Sequence, residues 1–142
     1  MNTTLLLRIA SIIALLFAVG HTSGYPWTPS EGLAPAAVVR AMKGVSFDAM
    51  GSSRTYWDFY VGFGLSISVY MFAQAAILWL LAALAKTQPA SVRPFVVVLL
   101  ASCAANGYVA WRHLFLLPVV LSVAMAVCLA LALVASKPRV GN

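Results

Sequence analysis

Four apolar runs make up most of the chain, and with its flanking residues each predicts a helix long enough to cross a hydrocarbon core about 30 Å thick. The first, Leu5 to Val19, is interrupted only by Arg8 and Ser11. Arg8 stands near the end of that run, where its aliphatic stem lets the charge reach the headgroups. Ala18 and Gly20 also fit the small-residue pattern before a signal-peptidase cut between Gly20 and His21, but the near absence of charge ahead of the run favours a retained helix. The second run, Thr55 to Ala85, ends at Lys86, Thr87, Gln88 and Pro89. The third, Phe95 to Trp111, ends at Arg112 and His113. The fourth begins with Pro118 in its first turn and runs to Ala135, before Ser136, Lys137, Pro138 and Arg139. The pattern predicts helices over about 4–21, 55–85, 94–112 and 117–135, in one transmembrane domain covering 1–142.

Residues 22–54 form the one long polar segment, opened by Gly20, Gly24, Pro26 and Pro29, which stop helices and favour turns. Tyr25 and Trp27 are expected at the membrane interface. Within the segment Val38, Ala41, Met42 and Val45 recur at helical spacing, with Arg40 and Lys43 on the other side and Pro35 in a first turn. A short amphipathic helix on the membrane surface is expected there. The fold class is therefore all-α: an integral membrane four-helix bundle, with this long loop and its short helix between the first and second spans.

Composition sharpens the picture. The 142 residues are 63% hydrophobic and 8% charged, against about a quarter charged in soluble proteins, which excludes a water-soluble globular domain. The net charge of +6 does not point to nucleic acid, because the nine basic residues are scattered at the ends of apolar runs and form no stripe. Cys103 and Cys128 lie inside apolar runs without metal-ligand spacing, so neither a zinc site nor a disulfide framework is expected. Four spans put both termini on one side. Arg8, Lys86, Arg93, Lys137 and Arg139 then oppose Arg40, Lys43, Arg54 and Arg112, which favours cytoplasmic termini and an outer loop.

Candidate chemistry collects at that outer end. Glu31, Asp48, Asp58, His21, His113, Arg54, Arg112, Tyr56, Tyr60, Trp57 and Trp111 share it whichever way the protein faces. Counting back from Ala85 at 1.5 Å per residue exhausts the hydrocarbon core near Leu65 or Ser66 and leaves Asp58 roughly 10 Å beyond, at the rim. Arg54, Asp58, Gly62, Ser66, Tyr70 and Gln74 follow at i+4, so an Arg54–Asp58 ion pair is expected, with Ser66 and Tyr70 offered to neighbouring helices. Gly62 with Ser66, and Gly64 with Ser68, form small-xxx-small pairs that let another helix approach. In the third span Ser102, Asn106 and His113 lie within about 40° of one another and are expected to face inward. Two histidines on different helices could ligate a haem axially. Because His21 and His113 lie at helix ends, where a haem lacks apolar walls, no cofactor is expected.

The segments GHT at Gly20 to Thr22 and SFDAMGSSRTYWDFYVGFGL at Ser46 to Leu65 resemble those of an uncharacterised family of short bacterial four-helix membrane proteins, in which RTYWDFYxGFG recurs. The resemblance covers the whole chain and implies a multi-pass protein of a bacterial inner membrane. It carries no activity with it. More loosely, the architecture is similar to DoxX-like proteins and to the emopamil-binding, sterol-isomerase-like group. Of the acidic residues in that group's helices, only Asp58 has a counterpart here.

The expected function is binding or sensing of a hydrophobic small molecule, such as an isoprenoid, quinone or sterol-like lipid, at the outer end. His21, Arg54, Tyr56, Asp58, Tyr70, Asn106, Trp111 and His113 are the candidate binding residues. An accessory or assembly subunit, meeting its own kind or another protein through small-residue helix faces, is the alternative. A lipid isomerase working through Asp58, His21 or His113 is the third reading.

Overall fold

The computed structural model describes residues 2–24 and 31–136. Tyr25, Trp27, Lys137 and Arg139, which entered the interface and charge arguments, lie outside the described residues. Among the described residues the regular elements are helices and one β-hairpin, in the order α1 (Thr3–Gly24), α2 (Leu33–Gly44), β1 (Ser46–Ala49), β2 (Ser52–Thr55), α3 (Tyr56–Leu84), α4 (Arg93–His113) and α5 (Leu116–Ala135). Four of these, α1, α3, α4 and α5, are long and apolar enough to cross a membrane. Two compact units are formed, one of residues 1–18 and 71–142, the other of residues 19–70.

In the first unit, segments of all four long helices contribute to one core. Asn2 starts α1 as its cap, its side-chain oxygen accepting from Thr4 N at 3.0 Å. The helix then buries Leu6, Leu7, Ala10, Ser11, Ala14 and Ala18, one stripe of mostly small side chains. Small residues let backbones approach, and Ser11 Oγ donates to the Ala75 carbonyl of α3 at 2.7 Å. Arg8 also lies against the protein. It is half-buried, with its guanidinium carbon 4.9 Å from the centre of the Trp79 ring and its Nε buried without a hydrogen-bond partner. The face of an indole ring attracts a cation, which draws the side chain onto α3.

The helices α4 and α5 are joined through Leu114 and Phe115 and pack along Val96, Cys103 and Ala110 on one side and Ser122, Met125, Leu129 and Ala132 on the other. Pro94 stands in the first turn of α4, where its missing N–H costs nothing. At the far end of the hairpin Arg93 Nη1 donates to the Leu133 carbonyl at 2.9 Å and to Ser136 Oγ at 3.2 Å, so the first residue of α4 caps the last turn of α5. The two helices run close at Gly107, where a Cβ would just touch the Ser122 Cβ at 3.5 Å, an ordinary van der Waals distance.

In the second unit the expected polar loop is partly a hairpin. Ser46 pairs with Thr55 and Ala49 with Ser52, leaving Met50 and Gly51 as a two-residue turn. Both have positive φ, 55° and 86°, as such a turn requires to match strand twist. The Asp48 carboxylate accepts from Gly51 N at 3.1 Å and steadies the turn. The helix α2 has no buried residue. Phe47 of β1 stacks at 4.8 Å on Tyr56 and 5.4 Å on Phe59, and Lys43 Nζ lies 4.6 Å over the Trp57 ring, which ties α2 and the hairpin to the head of α3. Gly20 does not stop α1: the helix runs on to Gly24, and His21 Nε2 donates to the Gly64 carbonyl at 3.2 Å. A glycine inside a helix costs only about 1 kcal/mol, which such a contact offsets.

Candidate functional site at the head of α3

The head of α3 is shaped by its cap. Thr55, the last residue of β2, precedes the helix, and its Oγ1 accepts from Asp58 N at 3.1 Å. In return Asp58 Oδ2 accepts from Thr55 N at 2.8 Å and from Thr55 Oγ1 at 2.9 Å. Thr55-x-x-Asp58 is a capping box, with the carboxylate also favoured by the positive end of the helix. The expected Arg54–Asp58 ion pair does not form. Arg54 belongs to β2 rather than to the helix, so the i+4 relation fails, and its Nη1 donates to the Ser53 carbonyl at 2.9 Å instead.

Beside this cap lies an open hollow of about 290 Å³ lined by Arg54, Asp58, Phe59, Gly62, Phe63 and Ser66. From Asp58 to Phe63 the helical residues cover an arc of about 140° on α3, so one helix supplies nearly the whole floor. Phe59 and Phe63 meet edge to face at 5.8 Å and form its apolar wall. Arg54 is exposed, and its other N–H groups have no protein partner among the described residues. Asp58 Oδ1 is likewise unpartnered among them, both Thr55 donors being directed at Oδ2. The hollow therefore offers a cation and a carboxylate oxygen above aromatic walls, with a hydroxyl at Ser66.

Of the eight candidate residues, Arg54 and Asp58 line this hollow. Tyr56 is exposed and stacks on Phe47, and Tyr70 is exposed and outside the lining. His21 is half-buried, and its Nε2 carries the proton donated to Gly64. Gly64 and Ser68 are buried, Ser68 Oγ donating to the same Gly64 carbonyl at 3.2 Å, so one small-residue pair is used within the unit. Gly62 and Ser66, the other pair, are exposed.

Asn106, Trp111 and His113 belong to the first unit, and all three are exposed. The inward face of α4 is the Val96, Cys103 and Ala110 stripe, about 60° to 100° around the helix from Ser102, Asn106 and His113. Small side chains win that face because α5 approaches closely. Asn106 still reaches across, its Nδ2 donating to the buried Ser122 Oγ at 2.9 Å. Ser102 bonds back to the Val98 carbonyl of its own helix at 3.0 Å, and Trp111 stacks on Tyr108 at 6.1 Å. A second hollow of about 420 Å³ lies along α4 and α5, with Ala104, Gly107, Ala126 and Ala130 among its lining.

Thr55, Phe59 and Phe63 were not among the candidates. The Thr-x-x-Asp spacing was the signal for the first, and the i+4 spacing of the two phenylalanines beside Asp58 and Gly62 for the others. Among the described residues no group of three or more His, Cys, Asp or Glu stands close enough to hold a metal ion. No family model matches the chain, and comparisons with curated proteins and with solved structures give no match.

Proposed function

We propose that the protein crosses a bacterial inner membrane four times as a helical bundle, with both termini in the cytoplasm, and binds or senses a small hydrophobic molecule with a polar end. The site is the hollow at the head of α3, on the outer side. The observation that carries the reading is its lining: the unspent donors of Arg54 and Oδ1 of Asp58 stand over Phe59 and Phe63. A volume of about 290 Å³ is at the lower edge of ordinary ligand sites, roughly 300 Å³ and above. It takes the polar end and adjoining carbons of an isoprenoid, quinone or sterol-like lipid, while the tail runs along α3 in the bilayer.

Native mass spectrometry of the extracted protein tests this, with a lipid-sized adduct expected. Arg54→Ala removes the cation, and Gly62→Leu fills the hollow without displacing protein, since nothing lies within 4 Å of an added Cβ there. Both are expected to lower occupancy at least several-fold; unchanged occupancy in both variants sinks the assignment.

A second reading, an accessory or assembly subunit, is favoured by the groove along α4 and α5, whose Ala104, Gly107, Ala126 and Ala130 would admit another helix. Co-purification with one membrane complex, without any bound adduct, would select it.

A further inference from the structure

Met50 stands at the tip of the hairpin, fully exposed, with φ at 55°. A non-glycine residue at positive φ is strained, and a long apolar side chain held there in water gains nothing from the protein that would offset the strain. The same unit carries a second unsatisfied apolar surface. Leu33, Ala34, Ala37, Val38 and Ala41 cover about 140° of α2, and all five are exposed. The opposite side of the helix holds Val39 and Met42, which are half-buried. Arg40 borders the apolar arc and Lys43 follows it on the same helix, which holds no acidic residue; over residues 31–58 as a whole, Arg40, Lys43 and Arg54 balance Glu31, Asp48 and Asp58.

What covers these surfaces follows from where they are fastened. Lys43 lies over Trp57, and Phe47 against Tyr56 and Phe59, so α2 and the hairpin are held to the first turn of α3. On the reading that α3 crosses the bilayer, that turn stands roughly 10 to 14 Å above the hydrocarbon edge near Leu65, just above a headgroup layer about 5 to 8 Å thick. Tilt of the helix lowers it further. The exposed face of α2 is built of Ala, Val and Leu without the Trp, Tyr or Arg anchors that concentrate energy at a protein interface. Many small apolar contacts beside cations suit a layer of anionic headgroups and acyl ends, where binding sums over area and charge.

We infer that the Leu33–Ala41 face of α2 and the Met50 tip of the hairpin rest on the headgroup layer of the bilayer that the four long helices cross. The segment is then an interfacial foot beside the hollow. This rests on the membrane-spanning reading, and the test separates the two.

The test is a set of nitroxide labels on the full chain with Cys103→Ala and Cys128→Ala, reconstituted in vesicles of phosphatidylethanolamine and phosphatidylglycerol. Labels are placed one at a time by Met50→Cys, Leu33→Cys, Val38→Cys, Ser53→Cys and Val127→Cys, all at exposed positions, and circular dichroism checks that the helices persist. At positions 33, 38 and 50, collisions with dissolved oxygen are expected to exceed those with a water-soluble nickel chelate, reversing the ratio found at 53. Replacing phosphatidylglycerol by phosphatidylcholine is expected to shift the ratio at 33 and 38 toward nickel. Nickel-dominated collisions at 33, 38 and 50, with Val127 in oxygen-rich lipid, overturn the inference and leave the membrane-spanning reading standing. Shielding of 33, 38 and 50 from both reagents also overturns it and indicates a protein cover. A nickel-accessible Val127 removes the membrane-spanning reading and the inference with it.

Discussion

Asp58 and Asn106 are both polar groups set in apolar runs, yet they reach their partners in opposite ways. Asp58, at the head of α3, finds Thr55 three residues back, and the pair closes a capping box with three hydrogen bonds. Asn106, well inside α4, has no helix end to serve and reaches Ser122 on α5. For these two residues, place along the helix decides whether the side chain stabilises its own backbone or joins two helices. At a helix end the unpaired N–H groups are the nearest partners for a carboxylate, whereas in mid-helix every backbone N–H is already used.

The sharpest way to break the comparison is at a third polar group, deeper still. Ser11→Leu removes the bond to Ala75 and forces a bulkier side chain into a buried stripe of small residues, with an expected cost of about 1 to 3 kcal/mol. Reversible unfolding in mixed detergent measures it, and a loss below the lower figure would mean that α1 and α3 can move apart easily. Next, Thr55→Val should cost about 1 kcal/mol through loss of the cap, with faster amide exchange confined to the first turn of α3. Thr55→Ser should restore protection; exchange unaltered in Thr55→Val would show that the cap is idle. The smallest effect is expected for Asn106→Ala, about 0.6 kcal/mol, coupled to Ser122→Ala in a double-mutant cycle. Additive effects of those two would separate the pair and leave Asn106 with no role between the helices.

How much could be read from the residues differs between the two units. Helix positions were legible wherever an apolar run was long, because crossing a bilayer and forming a helix make the same demand on the sequence. The hairpin was not. Its turn is Met50-Gly51 rather than Asn-Gly or Asp-Gly, and Ser52, Ser53 and Arg54 carry little strand preference, so the pairing with Ser46 to Ala49 left no periodic trace. The start of α3 was read to within one residue, at Thr55 against Tyr56, but missing the hairpin let helical spacing be carried back onto Arg54 and created the false i+4 link to Asp58. Around the hollow, Arg54, Asp58, Gly62 and Ser66 were marked by spacing, while Phe59 and Phe63 were absorbed into the apolar run that hides them. The inward face of α4 was misjudged for a related reason. Polarity singled out Ser102, Asn106 and His113, but closeness of approach, which favours Cys103, Gly107 and Ala110, selected the packed side.

Arg93 has a history as well as a position. In the proposed membrane setting, α4 is made before α5, and at that stage Arg93 is a bare positive charge whose influence is on which way α4 enters the bilayer. Only when the last turn of α5 has emerged do the Leu133 carbonyl and Ser136 hydroxyl arrive to meet it. The residue then serves as a clasp: the same guanidinium that signs the orientation of one helix during synthesis locks the end of the next once synthesis is over.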